Sequence, residues 1–296
     1  MPRVINSATR IRRPRSKAGQ SIPPRQIART GIGVLPTLFT LGNLLCGGAA
    51  IFVASRPTSV HLPFDWTPLT LAAVFILGGM ILDGLDGSIA RITRSYSSLG
   101  EQLDSMADMV TFGVAPAFVA VQLVDIGTPL VDIGTPFFSD KGDTIFGRIT
   151  LIIAAIYVVC AALRLARFNI ELIHGGNASH NRFNGLPSPG AAGTVASLVL
   201  LHQYYELHRS EHWSVGVAEI GMVLTMLLTA FAMVSRFHYV HVINRYVRGH
   251  APFRTIVKIV IVALLLIVRP QESLAVAFVT FALSAPVLSL YEKTGR

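Results

Sequence analysis

Charged residues are scarce in this sequence. Asp, Glu, Lys and Arg make up only 14% of the 296 residues, whereas 52% are hydrophobic and the mean hydropathy is +0.56. A soluble domain of this length would carry roughly a quarter charged residues. The composition therefore argues against an ordinary soluble enzyme and predicts a membrane protein. No long polar stretch indicates a second folded domain.

Cysteine is also nearly absent, and no secretory signal is visible at the start of the chain. Cys46 and Cys160 both lie in apolar runs, which favours buried free thiols over a disulfide or a cysteine-based metal site. Residues 1–34 are basic, contain no acid and lack an apolar core. We interpret them as a basic cytoplasmic tail that is disordered or lies on the membrane surface.

The apolar residues are concentrated in eight stretches, each near the roughly 20 residues that a membrane-spanning helix needs. The stretches are 35–55, 67–91, 104–124, 145–168, 188–206, 214–235, 254–269 and 273–291. The seventh is short and contains Lys258, whose side chain could reach the membrane surface. The pattern predicts an all-α, polytopic integral membrane bundle of about eight transmembrane helices.

The distribution of charge predicts the orientation of this bundle. The predicted loop near 236–254 is basic and contains no acid, like residues 1–34, whereas the loop near 125–144 carries four aspartates against one lysine. Basic segments stay on the cytoplasmic side of a membrane. Both termini are therefore predicted to be cytoplasmic, in the cytoplasmic membrane. This bias and attraction to anionic lipid account for the net charge of +9, and nucleic-acid binding is not favoured.

The sequence DGLDGSIAR, residues 83–91, places acids at the end of the second apolar stretch. At about 100° per residue, a helix would bring its polar and small residues into an arc of about 140°. These residues are Asp83, Asp86, Gly87, Ala90 and Arg91. Two carboxylates and a guanidinium would then share one face, and the small residues would leave room for a ligand beside the backbone.

Two further acids, Asp104 and Asp108, follow at i,i+4 spacing on the next predicted helix, after a short polar loop. Four carboxylates would therefore converge at the cytoplasmic end of two spans, where they would repel one another unless cations lay between them. Oxygen ligands suit Mg²⁺ or Mn²⁺, and two such ions could clamp phosphate oxygens during a displacement reaction. The alternative is that the acids are solvated or paired with Arg91 and Arg94.

Residues 83–108 resemble the signature of the CDP-alcohol phosphatidyltransferase family, D-x-x-D-G-x-x-A-R-x8-G-x3-D-x3-D. The sequence matches it at every fixed position: Asp83, Asp86, Gly87, Ala90, Arg91, Gly100, Asp104 and Asp108. The resemblance implies a membrane enzyme that transfers a substituted phosphate from a CDP-linked donor to an alcohol and releases CMP. It also implies a six-span core, here residues 35–240, a homodimer, and two additional C-terminal spans in residues 241–296.

The resemblance implies roles for individual residues as well. The four aspartates would bind two divalent ions, Mg²⁺ or Mn²⁺, and Asp108 would also be the general base. The CDP donor would be bound by Thr40, Asn43, Gly87, Ala90, Arg91, Ser97 and Gly100. From the sequence alone, Asn43 could equally be a hydrogen-bonding residue between helices.

Three other stretches resemble the branch of this family that adds L-serine to CDP-diacylglycerol. They are PTLFTLGNLLCGGAA (36–50), RLARFN (164–169) and RFNGLPSPGAAG (182–193). The candidate acceptor-binding residues in them are Arg164, Arg167, Asn184 and Ser188. The two arginines also fit a simpler interpretation as positive charges that anchor a helix end on the cytoplasmic side.

We therefore expect a transferase that makes phosphatidylserine and CMP from CDP-diacylglycerol and L-serine. One alternative is a sister enzyme with glycerol 3-phosphate or an inositol phosphate as acceptor, which would need additional basic residues for the second phosphate. Another is a donor built on an ether lipid, since lipid tails leave little trace in a sequence. A cation-coupled transporter is a remote alternative, because the acids gather at one face and show no inverted repeat.

Overall fold

The computed structural model describes most of the hydrophobic part of the chain. The described residues are 24–57, 66–93, 98–124, 145–174, 183–208, 213–235, 238–239, 265 and 267–294. The helices are α1 (Pro24–Ala54), α2 (Pro68–Thr93), α3 (Ser98–Asp108), α4 (Ala115–Val124), α5 (Ile145–His174), α6 (Ser188–His208), α7 (Trp213–Val234) and α8 (Pro270–Thr294).

A π-helical turn, Met109–Val114, joins α3 to α4 without a break. Two short strands, β1 (Phe183–Asn184) and β2 (His238–Tyr239), form one antiparallel pair in which Phe183 lies opposite Tyr239. Apart from this pair, the described secondary structure is helical, so the prediction of an all-α membrane bundle is confirmed.

Four helical segments in the described part of the chain are long and apolar enough to cross a membrane. They are Pro36–Ala54, Pro68–Ile89, Leu99–Val124 and Phe146–Ile170. They coincide with the first four predicted apolar stretches. The stretches 188–206, 214–235 and 273–291 are also helical, in α6, α7 and α8, while 254–269 lies largely outside the described residues. The count of about eight spans therefore stays a prediction.

The start of α2 illustrates how the sequence specifies a helix end. Thr67 precedes the helix, and its Oγ1 accepts a hydrogen bond of 3.1 Å from the backbone N–H of Thr70. Pro68 occupies the first helical position, where its missing N–H costs nothing. Oγ1 of Thr67 also donates to Oε1 of Gln203 at 2.7 Å, which ties this end of α2 to the last turns of α6.

Small residues let the helices pack closely, as is typical of membrane bundles. Ala72, Ala73 and Ile76 of α2 are fully buried, as are Ala191 and Ala192 of α6. The resulting core lies between the helices, and many of the leucines, isoleucines and phenylalanines on their outer faces are exposed for contact with lipid. Close contact through small residues and exposure of large apolar side chains to lipid are features that a bilayer favours.

The turn before α6 is held in place by α7. Gly185 has a φ of +89°, a conformation that only glycine adopts without strain, and the N–H of Leu186 donates to the carbonyl of Ala232 at 3.0 Å. A Cβ on Gly185 would lie 3.0 Å from the carbonyl oxygen of Ser235. The turn GLPSPG, residues 185–190, therefore fixes the start of α6 against the end of α7.

Candidate active site

The acidic end of α2 lies beside α3, and three aspartates from these two helices converge. One carboxylate oxygen from each of Asp83, Asp104 and Asp108 lies within 4.8 Å of the others. All three side chains are half-buried. The predicted i,i+4 pair of α3 and the first aspartate of α2 thus form one cluster, which we call the carboxylate cluster.

Asp86, the fourth predicted aspartate, is more buried than the other three and is held from α1. It is 5% exposed, and its Oδ2 accepts a hydrogen bond of 3.0 Å from Oγ1 of Thr40. The same hydroxyl lies 3.1 Å from the carbonyl oxygen of Pro36, four residues earlier in α1. Asp86 therefore lies beside the carboxylate cluster with one oxygen already engaged by a neutral donor.

Asp108 is also held from α1. Nδ2 of Asn43 donates to Oδ1 of Asp108 at 3.2 Å, and Asn43 is fully buried. Thr40 and Asn43 are one helical turn apart, so one face of α1 contacts an aspartate from α2 and another from α3. The family resemblance implied that both residues bind the CDP donor, but the sequence did not show that they contact these aspartates.

The π-helical turn begins directly after Asp108 and is anchored on two sides. Oγ1 of Thr111 donates to the backbone carbonyl of Asn43 at 2.9 Å, and Oη of Tyr157 in α5 donates to the carbonyl of Phe112 at 3.2 Å. Single π-helical turns inside α-helices occur often at functional sites. Neither Thr111 nor Tyr157 was predicted as a site residue, and the only signal in the sequence is that Thr111 follows Asp108 by three residues.

α3 is tied to α5 at the level of the carboxylate cluster. Nδ2 of Asn169 lies 3.0 Å from Oγ of Ser105, which sits between Asp104 and Asp108 in the sequence. Ser105 was not predicted as a site residue either. Its contact fixes the position of α3 relative to the end of α5 that carries the candidate acceptor-binding arginines.

The geometry and chemistry of the carboxylate cluster fit a divalent cation. Mg²⁺ binds oxygen at about 2.0–2.1 Å, so two oxygens on one ion lie at most about 4.2 Å apart, slightly closer than the 4.8 Å within which the three carboxylate oxygens of the cluster lie. Oδ1 of Asp104 is buried and has no hydrogen-bond partner among the described residues. A buried carboxylate oxygen without a donor is costly unless a cation or proton lies beside it. The residues present therefore suit a hard metal ion.

The other predicted donor-binding residues lie along the end of α2 and the start of α3. Gly87 is exposed, and a Cβ placed on it would meet nothing within 4 Å. Gly100 is half-buried in the first turn of α3. Ala90 and Arg91 belong to the last turn of α2, and Ser97 lies outside the described residues. The open side of Gly87 leaves space for a ligand beside α2.

Two of the four candidate acceptor-binding residues are brought into contact. Nη1 of Arg164 in α5 donates to Oγ of Ser188 at the start of α6, at 3.2 Å. Arg167 lies one turn further along α5 and is half-buried. Asn184 lies in β1, opposite His238 of β2. The structure thus brings Arg164 to Ser188, and it places Asn184 in the strand pair that precedes α6.

A polytopic helical bundle with a carboxylate cluster at the ends of α2 and α3 defines a membrane enzyme suited to metal-assisted chemistry on phosphates. The family model of the CDP-alcohol phosphatidyltransferases matches residues 33–231, and the chain belongs to this family. The match runs from α1 into α7 and includes all four aspartates, whereas α8 lies beyond it.

Several curated relatives are similar over much of the chain. CDP-diacylglycerol–serine O-phosphatidyltransferase of Helicobacter pylori (strain ATCC 700392 / 26695) is 31% identical over 243 residues, which is 82% of this chain and 85% of the relative. The protein of the same name from Bacillus subtilis (strain 168) is 33% identical over 157 residues, 53% of this chain and 70% of the relative. Archaetidylserine synthase of Methanothermobacter thermautotrophicus is 32% identical over 180 residues, 60% of this chain and 63% of the relative.

Proposed function

We propose that this protein transfers the phosphatidyl group from CDP-diacylglycerol to the hydroxyl of L-serine, yielding phosphatidylserine and CMP. The observation that carries the proposal is the convergence of Asp83, Asp104 and Asp108 in a chain of the CDP-alcohol phosphatidyltransferase family. The relatives named CDP-diacylglycerol–serine O-phosphatidyltransferase support serine as the acceptor.

The four aspartates are suited to hold two divalent ions, Mg²⁺ or Mn²⁺, and enzymes of this family use divalent metals. Bound ions would neutralise the pyrophosphate of the donor and stabilise the charge that develops on the leaving CMP. Asp83, Asp104 and Asp108 supply the clustered oxygens, and Asp86 adds a fourth carboxylate whose Oδ2 is fixed by Thr40.

Asp108 is the proposed general base. Its carboxylate takes the proton of the serine hydroxyl, and the serine oxygen attacks the phosphorus that carries the diacylglycerol. The bond from this phosphorus to the bridging oxygen breaks, and the electron pair leaves with CMP. A base must lie within hydrogen-bond reach of the proton it removes, and the hydrogen bond from Asn43 holds the carboxylate of Asp108 in one orientation.

The donor and acceptor are assigned to two sides of the carboxylate cluster. Arg91, with Gly87, Ala90, Ser97 and Gly100, is proposed to bind the CDP group along α2 and α3, since a guanidinium suits phosphate oxygens. Arg164 or Arg167 is proposed to bind the serine carboxylate. The hydrogen bond from Ser105 to α5 supports this arrangement, because it keeps the arginine-bearing end of α5 next to α3.

The archaeal relative supports one variation of the donor. It is named archaetidylserine synthase, and it matches 60% of this chain. An ether-linked CDP donor is therefore the second candidate, with the same acceptor and the same carboxylate cluster.

We also propose about eight spans in a cytoplasmic membrane, with both termini and the active site on the cytoplasmic side, and a homodimer. Residues 1–34 would form the tail, of which residues 24–34 already belong to α1; residues 35–240 would form the catalytic core and 241–296 two additional spans. The basic segments at 1–34 and 236–254 support this orientation. Reporter fusions at the two termini and crosslinking in native membranes test it, and a terminus outside the cytoplasm or a purely monomeric protein would contradict it.

Purified protein in nanodiscs, supplied with Mg²⁺ or Mn²⁺, tests the reaction. CMP release is followed with CDP-diacylglycerol or a CDP-linked ether lipid as donor, and with L-serine, glycerol 3-phosphate, inositol phosphate or no acceptor. We expect release to require serine. Release driven by glycerol 3-phosphate and indifferent to serine would overturn the acceptor and leave the reaction class standing.

A further inference from the structure

Asn43 occupies an unusual position for an amide, in the middle of an apolar run on α1. Its neighbours in the sequence include Leu41, Leu44 and Leu45, and its own side chain is fully buried. Nδ2 donates to Oδ1 of Asp108 at 3.2 Å. Burying an amide in a membrane helix costs free energy unless its polar atoms are hydrogen-bonded. The contact of this amide with the proposed base therefore calls for a functional explanation.

The surroundings of Asn43 leave its side chain little freedom. A Cβ on Gly79 of α2 would lie 2.8 Å from Oδ1 of Asn43, so the glycine is what makes room for the amide. Oγ1 of Thr111 binds the backbone carbonyl of Asn43 at 2.9 Å and fixes the main chain at the same point. A Cβ on Gly47, one turn later in α1, would lie 2.8 Å from Cα of Thr111. α1 and the π-helical turn therefore meet at backbone distance around Asn43.

The orientation of the amide follows from these contacts. Oδ1 of Asn43 is buried without a hydrogen-bond partner among the described residues, while Nδ2 faces Asp108. The opposite orientation would place an acceptor against the carboxylate oxygen and would lose the hydrogen bond. Asn43 thus leaves its Oδ1 without a partner in the described part of the chain and still presents its N–H group to Asp108. Packing alone gives no reason for this, since a leucine-like side chain would avoid the cost.

We infer that Asn43 is a positioning residue that holds the carboxylate of Asp108 in the orientation required for proton transfer, and that it does not contact the CDP donor. The inference rests on the proposed function. It replaces the donor-binding role that the family resemblance implies for this residue, because a fully buried amide between α1, α2 and the π-helical turn has no surface for the donor to touch. Misplacement of a reacting group by about 1 Å can lower a rate about 100-fold.

The test compares Asn43→Ala with the wild-type protein in nanodiscs. We expect kcat to fall about 10- to 100-fold, with the KM values for donor and serine changing less than about twofold. Binding of CDP-diacylglycerol, measured by calorimetry without serine, should stay unchanged. A kcat close to that of the wild type would overturn the inference, and so would a donor Kd raised about tenfold or more, which would restore the donor-binding role.

Two further variants separate positioning from folding. Ser197→Ala removes another fully buried polar group, whose hydroxyl bonds the carbonyl of Thr194 within α6, and we expect its kcat to match the wild type. If Asn43→Ala does not fold, Asn43→Ser keeps a polar group that is too short to reach Asp108 and should show the same fall in kcat. If the wild-type protein uses an alcohol other than serine, the proposed function is wrong, but the inference on Asn43 is not affected. The kcat of Asn43→Ala can then be compared with that of the wild type using that alcohol.

Discussion

At the scale of single residues, the aspartates of the site differ in the support that each receives. Asp86 is bound by Thr40, and Asp108 is bound by Asn43. Oδ1 of Asp104, by contrast, is buried with no partner in the described part of the chain. A site in which some oxygens are fixed by neutral donors and others are left open is suited to orient carboxylates while leaving coordination positions for cations.

Replacement of Asp108 by asparagine tests the proposed base. Asp108→Asn preserves the shape of the side chain but removes its negative charge and its proton acceptor. Turnover should therefore fall by about 10²- to 10⁴-fold. Donor binding should persist, because Asp83, Asp86 and Arg91 remain. CMP release measures turnover, and calorimetry with CDP-diacylglycerol measures binding. Near-normal turnover would show that another group removes the proton.

Replacement of Arg164 tests the acceptor site. Hydrogen bonds to charged groups are worth about 1.5–3 kcal/mol, so Arg164→Ala should raise the KM for serine about 10- to 100-fold. The KM for the donor should change much less. Arg167→Ala is the matched variant one turn away, and it distinguishes which arginine contacts serine. If neither substitution raises the KM for serine, the serine carboxylate is bound elsewhere.

At the scale of secondary structure, the contact of α1 with α2 and the π-helical turn determines where the aspartates lie. Glycines make this contact possible: a Cβ on Gly79 would lie 2.6 Å from Cγ2 of Thr111. The neighbouring Gly78 faces open space, and a Cβ there would meet nothing within 4 Å. One glycine of the pair therefore permits close packing, whereas the other does not contribute to it.

This difference predicts opposite effects for two adjacent substitutions. Gly79→Ala forces α1 and the π-helical turn apart and should destabilise the protein by about 1–3 kcal/mol, with a loss of activity. Gly78→Ala should be neutral or stabilising by up to about 1 kcal/mol, because alanine favours a helix. Thermal unfolding in detergent and CMP release measure the two effects. Equal behaviour of the two variants would contradict the packing described for α1.

The sequence predicted some of these relations and could not predict others. Helical periodicity was sufficient to group Asp83 with Asp86 and Asp104 with Asp108, since neighbours on one helix are fixed by local geometry. It gave no information on Thr40, Asn43 or Tyr157 as partners of α2, α3 and the π-helical turn, because those contacts join residues far apart in the chain. The π-helical turn was also missed, since it replaces one helical pattern by another within a continuous apolar run.

At the scale of the whole molecule, α8 lies beyond the part that matches the family and packs on α6. Oη of Tyr205 donates to Glu272 at 3.0 Å at one end, and Oγ1 of Thr194 lies 3.3 Å from the carbonyl of Phe278 further along, so the two helices are antiparallel. A Cβ on Gly193 would lie 2.6 Å from Cζ of Phe278 and 2.8 Å from Cε of Met80. Met80 precedes Asp83 by one turn of α2, so Gly193 of α6 lies between α8 and the helix that carries the first two aspartates.

The proposed activity of the whole molecule is one reaction at one cluster of carboxylates. The most direct measurement follows label from L-[¹⁴C]serine into lipid, using the purified protein with CDP-diacylglycerol and Mg²⁺ or Mn²⁺, in the presence and absence of excess EDTA. We predict labelled phosphatidylserine and an equal amount of CMP, both abolished by EDTA and restored when the divalent ion is added back, because the clustered carboxylates repel one another without a cation. Labelled lipid that still forms in excess chelator, or CMP release without any labelled lipid, would contradict the account.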